Sequence, residues 1–360
     1  MSQPVITSAR FFVGRTGDGL ISFGSGQPDL PPPRAVFDIL PHYSAFKYGL
    51  TQGQENLREA LSKQYPHASP EQFVITNGAS EALDLSLRVL ARFHGAKRCL
   101  IPRPYYYSYP FNVEFAPMGV EYYDLKDGKI DLDHFLEQMK KADVVLINSP
   151  SNPTGAVQDI PVLKEIERLT QEKNLWVISD EVYKDLIYDR DNYLIQGERV
   201  ITINSFSKTY AMCGYRVGYL YGRQSDFIDM VVEMKNHTSM NTNILGQEMA
   251  YTATCVPMDE INKQVAVWRE RRDTIYDGMK ALGLDLWKPE GAFYVFPKMK
   301  DSTRVVNELY YKHNMITYDG AWFGAPDRVR FSYALEVSKI LEGLERLEGY
   351  LKKNPGVVSG

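Results

Sequence analysis

The chain has 360 residues, with 41 lysines and arginines against 45 aspartates and glutamates, a formal net charge of −4. Its 44% hydrophobic and 24% charged residues exclude a disordered chain, a collagen-like repeat and a disulfide scaffold. The mild acidity, with no basic run longer than Arg271-Arg272, argues against general nucleic-acid binding, and no apolar stretch approaches the roughly 18–20 residues that cross a bilayer. The start, MSQPVITSARFF, lacks the apolar core of a signal peptide. Cys99, Cys213 and Cys255 lie far apart with no C-x-x-C pair, so a reducing, cytoplasmic setting is expected.

Periodicities then alternate along the chain. EALDLSLRVLARF predicts a helix with Leu83, Leu87 and Leu90 on one face, followed by a short apolar run, Cys99–Ile101, closed by Pro102 and Pro104. VVLI (144–147) has the β-branched, apolar character of a strand buried on both faces, and IPVLKEIERLTQEKN places Val162, Ile166 and Leu169 at helical spacing. LWVIS (175–179) and VITI (200–203) are two more buried strands. Strand, helix and strand at this spacing imply a parallel sheet flanked by helices.

After about residue 225 the texture changes. A charged helix is expected from Glu260 to Leu282, with Arg269, Arg271 and Arg272 on a solvated face. GAFYVFP (291–297) and VRFSY (329–333) suit strands, and a terminal amphipathic helix runs through Leu341, Leu344 and Leu347. The expectation is an α/β large domain over 26–255 and a smaller domain over 256–360 joined by residues 1–25, with a loose NPGVVSG tail.

In an open parallel sheet, ligands bind beyond the carboxyl ends of the strands. VVLI is followed by NSPSNPTG (148–155), LWVIS by Asp180-Glu181-Val182-Tyr183, and VITI by NSFSKTYAMCGYRVGY (204–219). Ser205, Ser207 and Arg216 suit a phosphate dianion, since hydroxyls and a guanidinium bind its oxygens together. Lys208 could be one more phosphate contact, or an amine held for covalent work on a carbonyl. Asp180 could cap a helix, and Asn152 could simply form a turn before Pro153. Asp180 and Glu181 point to opposite faces of a strand, and the six scattered histidines form no H-x-H or H-E-x-x-H, so no metal site is expected.

SFSKTYAMCGYRVGY resembles the pyridoxal-phosphate lysine signature of the class I/II (fold-type I) aminotransferases, in particular their aspartate- and aromatic-type members. NSPSNPTG and SDEVYKDLIY are similar to that family's other cofactor segments, in the same order. The likeness continues through GQPD (26–29), YGLTQGQENLREAL (48–61), TNGASEAL (76–83), PYYYSYP (104–110), EGAFYVFP (290–297) and VRFSYA (329–334), nearly the whole chain. It implies a three-layer α/β sandwich with a mainly parallel central sheet, plus a smaller α/β C-terminal domain.

The resemblance also implies roles. Lys208 would carry the aldehyde of pyridoxal 5'-phosphate and shuttle the Cα proton; Asp180 would keep the pyridine nitrogen protonated. Tyr183 and Asn152 would hydrogen-bond the cofactor's phenolic oxygen. Tyr106, one of four tyrosines within 105–109, would stack on the ring. The phosphate would take Ser205, Ser207, Arg216 and the backbone at Gly78, Ala79 and Ser80, where a helix points its positive end. Arg330 would clamp the substrate α-carboxylate beside Gly26. Tyr48 would serve the phosphate of the other subunit of a homodimer. Cys213 and Tyr215 stand where relatives often carry Thr and Trp, YDGAWFGAP (318–326) departs from the usual Pro-Gly loop, and no second Arg or Lys stands out for a distal carboxylate.

The function so implied is transfer of an amino group between an L-amino acid and a 2-oxo acid by a ping-pong mechanism. The alternative on the same scaffold is a lyase or cyclase, such as a β-eliminating or aminocyclopropanecarboxylate-synthase-like enzyme.

Overall fold

The computed structural model of the chain describes residues 4–358, so the first three residues and the last two of the tail lie outside it. Eight strands form the main sheet: β1 (Phe73–Thr76), β2 (Arg98–Arg103), β3 (Gly119–Lys126), β4 (Lys129–Ile130), β5 (Val144–Asn148), β6 (Trp176–Asp180), β7 (Val200–Ser205) and β8 (Gly218–Gly222). Their order is β1-β8-β7-β6-β5-β2-β3-β4. The pairs β2–β3, β2–β5, β5–β6 and β6–β7 are parallel, while β8 runs antiparallel to both β1 and β7, and β4 to β3.

Every residue of β5, β6 and β7 is buried, as their unbroken apolar runs predict. Alternate residues serve opposite faces. Val144, Leu146, Trp176 and Ile178 pack with Leu83, Leu87 and Leu90 of the helix Gly78–Phe93; Val145, Ile147 and Val177 pack with Leu163 and Ile166 of the helix Ile160–Glu172. Helices therefore cover both faces, giving three layers. Pro102 does not close β2 but lies inside it. Pairing with β5 ends at Leu100, so the proline sits where one flank of the ladder has already opened.

The C-terminal part is built on the helices Met258–Ala281, Ser302–His313 and Val337–Lys353, around a small antiparallel sheet in which Val329–Ser332 lies between Tyr294–Val295 and Tyr318–Asp319. The N-terminal segment joins it, Ile21 pairing with Met315 and Ser22 with Ile316. No helix among the described residues is long and apolar enough to cross a membrane.

Three expectations are corrected here. On the terminal helix Leu347 is buried and Leu344 packs against Gly278 of the helix Met258–Ala281, as expected, but Leu341 is half exposed and Ile340 and Leu351 complete the buried seam in its place. Arg271 and Arg272 are not on a solvated face. Both are buried, paired with Asp29 and with Asp189 and Asp273 respectively. The tail is held as far as Val357, which is buried and accepts the Lys300 N–H at 2.9 Å.

Candidate active site

Three parallel strands end level with one another. Asn148 pairs with Asp180 across β5–β6, Asp180 with Ile203 across β6–β7, and Ser205 at the end of β7 faces Gly218 of β8. The polar segments that follow therefore open into one cleft of about 370 Å³. It brings together Gly26, Ala79, Ser80, Tyr106, Asn152, Asp180, Tyr183, Ser205, Ser207, Lys208, Arg216 and Arg330. These sites come from distant parts of the chain.

At one end is an anion cradle. Ser205, last in β7, takes extended backbone and its Oγ accepts the Ser207 N–H at 3.1 Å, starting the short helical turn that carries Lys208. The two hydroxyls lie 2.8 Å apart. The helix Gly78–Phe93 enters from the other side, with Ala79 and Ser80 in its first turn lining the cleft. Gly78 has φ +74°, and a Cβ there would stand 2.6 Å from Arg216 Nη2; one at Gly218 would stand 2.6 Å from the Gly78 carbonyl carbon. Only glycines let these backbones and the guanidinium close around one point. Gly78 thus shapes the cradle from behind its lining.

In the middle, Asp180 is buried, and this burial raises its carboxyl to about 6 against the hydrogen bonds that favour its charged form. The Tyr109 hydroxyl donates to Asp180 Oδ2 at 2.6 Å and the Val182 N–H to Oδ1 at 3.2 Å. Glu181 points the opposite way, into a buried network with Ser179 and Tyr65, where burial raises it to about 7. Asp180 does resemble a cap in bonding Val182, yet its second oxygen faces the cleft with a phenol on it. Lys208 Nζ donates to the Gly26 carbonyl at 2.5 Å, and burial lowers its pKa. A depressed amine is a better nucleophile near neutral pH.

At the far end Arg330 is 2% exposed. Its Nη1 donates to Asn152 Oδ1 at 2.9 Å and Nη2 to the Gly24 carbonyl at 2.6 Å, whereas Nε has no partner. No carboxylate pairs with it among the described residues. A buried guanidinium held by neutral acceptors, with a free N–H, has the chemistry to bind a carboxylate. Tyr183 and Tyr294 share a hydrogen bond at 2.7 Å between their hydroxyls, and the Tyr294 hydroxyl occupies the space a side chain at residue 26 would need, 2.5 Å from a Cβ there.

Tyr48 lies outside the cleft, 83% exposed on the surface beside Phe46 and Ile244. Sequence reasoning assigned no role to Tyr109, Tyr107 or Tyr294, which line the cleft; Tyr318, also in its lining, opens the YDGAWFGAP segment expected on the substrate side. The run of tyrosines at 105–109 was the only signal for the first two.

Known proteins share this architecture. The sequence pattern of the family "Aminotransferase class I and II" matches residues 18–347. The aspartate aminotransferase of Thermotoga maritima is 30% identical over 356 residues, covering 94% of this chain and 93% of the relative. Aromatic-amino-acid aminotransferase 2 of Thermococcus litoralis is 32% identical over 369 residues, covering 93% and 92%. Among solved structures, the Thermotoga maritima enzyme superposes with a TM-score of 0.88 at 29% identity over 96% of this chain and 95% of its own, and the aromatic aminotransferase of Pyrococcus horikoshii with 0.88 at 29% over 97% and 100%. The chain belongs to the class I and II aminotransferases, and its fold is the fold-type I sandwich.

Proposed function

We propose that this pyridoxal-phosphate-dependent aminotransferase uses the cleft between Ser205 and Arg330 to move an amino group from an L-amino acid to a 2-oxo acid in two half-reactions. Three features of the cleft carry the reading together: an anion cradle, an uncompensated buried carboxylate and an uncompensated buried guanidinium, with one amine between them. Burying each charge alone is unfavourable. A phosphate, a protonated ring nitrogen and a substrate carboxylate would compensate them in turn, so the residues fit pyridoxal 5'-phosphate and an amino acid.

In this reading Ser205, Ser207, Arg216 and the backbone at Gly78, Ala79 and Ser80 hold the phosphate. Asp180 would face the ring nitrogen, Tyr106 would stack on the ring, and Tyr183 and Asn152 would hydrogen-bond its phenolic oxygen. When bound, the cofactor supplies an aldehyde for the amino group and a ring that accepts the electron pair released at the substrate Cα. Arg330, steadied by Asn152, binds the substrate α-carboxylate and so fixes the orientation of the Cα–H bond. Gly26 lies beside it. The Lys208 amine, its pKa lowered by burial, would take that proton from Cα and deliver it to the carbon that had been the aldehyde's, two bonds away.

The protein acts as a cytoplasmic homodimer in which Tyr48 serves the partner's cradle. Support comes from the apolar side chains left in the open on one segment, Phe46 at 89% and Leu50 at 63% exposure beside Tyr48. The test of function is to mix holoenzyme with an amino acid and no oxo acid. Conversion of the cofactor to its pyridoxamine form, with the 2-oxo acid released and no ammonia, is expected. Ammonia release with the cofactor returned unchanged would make the protein a lyase.

A further inference from the structure

Which amino acid enters is decided at the Arg330 end. The cleft is lined by three cations, Lys208, Arg216 and Arg330, and by one anion, Asp180. Resting on the reading above, all four are already committed: Arg216 to the phosphate, Lys208 and Asp180 to the cofactor, Arg330 to the α-carboxylate. No other Lys or Arg among the described residues lines the cleft to meet a second carboxylate. What surrounds Arg330 instead is aromatic. Its guanidinium carbon lies 4.5 Å from the Tyr294 ring centre, 4.6 Å from that of Tyr318 and 4.8 Å from that of Phe323. Tyr107 packs edge-on against Phe323 at 5.9 Å and lies 4.8 Å from Tyr106, so its ring continues this wall along the cleft.

We propose that the amino donor has a neutral aromatic side chain, held against Tyr107 and Tyr318, and that the site disfavours a donor with a second carboxylate. The physical reason has two parts. A distal carboxylate moved among these rings would exchange water for phenol edges and ring faces, with no cation to compensate it. A flat apolar ring gains edge-to-face contacts from the same surfaces, and the phenol hydroxyls keep the wall compatible with a hydroxylated ring. Tyr107 is the specificity-determining residue of this wall: it packs against Phe323 and Tyr106 and takes no part in the Ser205–Ser207–Arg216 cradle or the Asp180 carboxylate contacts.

The experiment follows the first half-reaction of the holoenzyme by cofactor absorbance, with phenylalanine, tyrosine, alanine and aspartate and no oxo acid. Phenylalanine and tyrosine should exceed aspartate in kcat/KM by at least about tenfold, the scale on which one side-chain pocket discriminates. Aspartate equal to or faster than phenylalanine would overturn the proposal and would mean that a cation reaches the site from a second copy of the chain; the aminotransferase reading would survive. No reaction with any amino acid would overturn both. Tyr107→Ala supplies the second arm: its loss with phenylalanine should be about tenfold greater than its loss with alanine. Because this ratio compares two substrates on one preparation, partial misfolding does not move it. An equal loss on both would remove Tyr107 from substrate recognition.

Discussion

The Tyr109 hydroxyl lies 2.6 Å from Asp180 Oδ2, bridging two residues 71 positions apart. The bond favours the charged carboxylate against a burial that raises its pKa to about 6. Tyr109 is thus a positioning residue for Asp180. Tyr109→Phe keeps the ring and removes the donor, so Asp180 should hold its proton to higher pH. The acidic limb of the pH profile for cofactor binding should move upward, and the first half-reaction should slow about tenfold, the scale of a hydrogen bond to a charged group. An unmoved limb would reduce Tyr109 to packing.

Asp180 also makes a signed prediction about the cofactor-free protein. Its folded pKa, about 6, lies above the usual 3.8, so the native state binds more protons and loses stability as pH rises from about 4 to 6. Asp180→Asn cannot titrate and escapes that loss. Melted without cofactor, the variant should gain on the parent protein as pH rises through this window, by up to about 3 kcal/mol above pH 6. A gap that stays constant with pH would show that Asp180 is solvated.

Arg330→Lys retains charge but not the fork that binds a carboxylate through two N–H groups. A loss of about 100-fold in kcat/KM is expected for every amino acid, carried mainly by KM, since all share the α-carboxylate. If only one amino acid suffers, Arg330 reads the side chain instead.

Shared sites predict complementation. Lys208→Ala and a Tyr48 variant that retains cofactor poorly are each inactive at limiting cofactor. After subunit exchange, one site of the mixed dimer collects both lesions and the other is intact, so activity should reappear. If Tyr48 serves its own chain, every site keeps one lesion and mixing restores nothing.

The sheet and most of the cleft were legible because their signals are local. A buried parallel strand is a continuous apolar run, and the residues directly after β5, β6 and β7 must open at one sheet edge. Asn152, Asp180, Ser205, Ser207 and Lys208 were readable for that reason. Tyr109 was not, because choosing among four neighbouring tyrosines requires knowing that the helix Tyr109–Phe115 aims this one at β6. Arg271 and Arg272 were misread for a similar reason: their partners Asp29 and Asp189 are far away in sequence, and a charged helix looks solvated until those are docked. The aromatic wall drew on Tyr107, Tyr294, Tyr318 and Phe323, which three separate segments contribute.

Everything proposed for the cleft depends on Lys208 being the residue that bears the cofactor, and one measurement reads this directly. Holoenzyme is reduced with borohydride, digested, and its peptides mapped by mass. The expected result is a single modified peptide containing Lys208, absent from Lys208→Ala; a pyridoxyl group on any other lysine would contradict it.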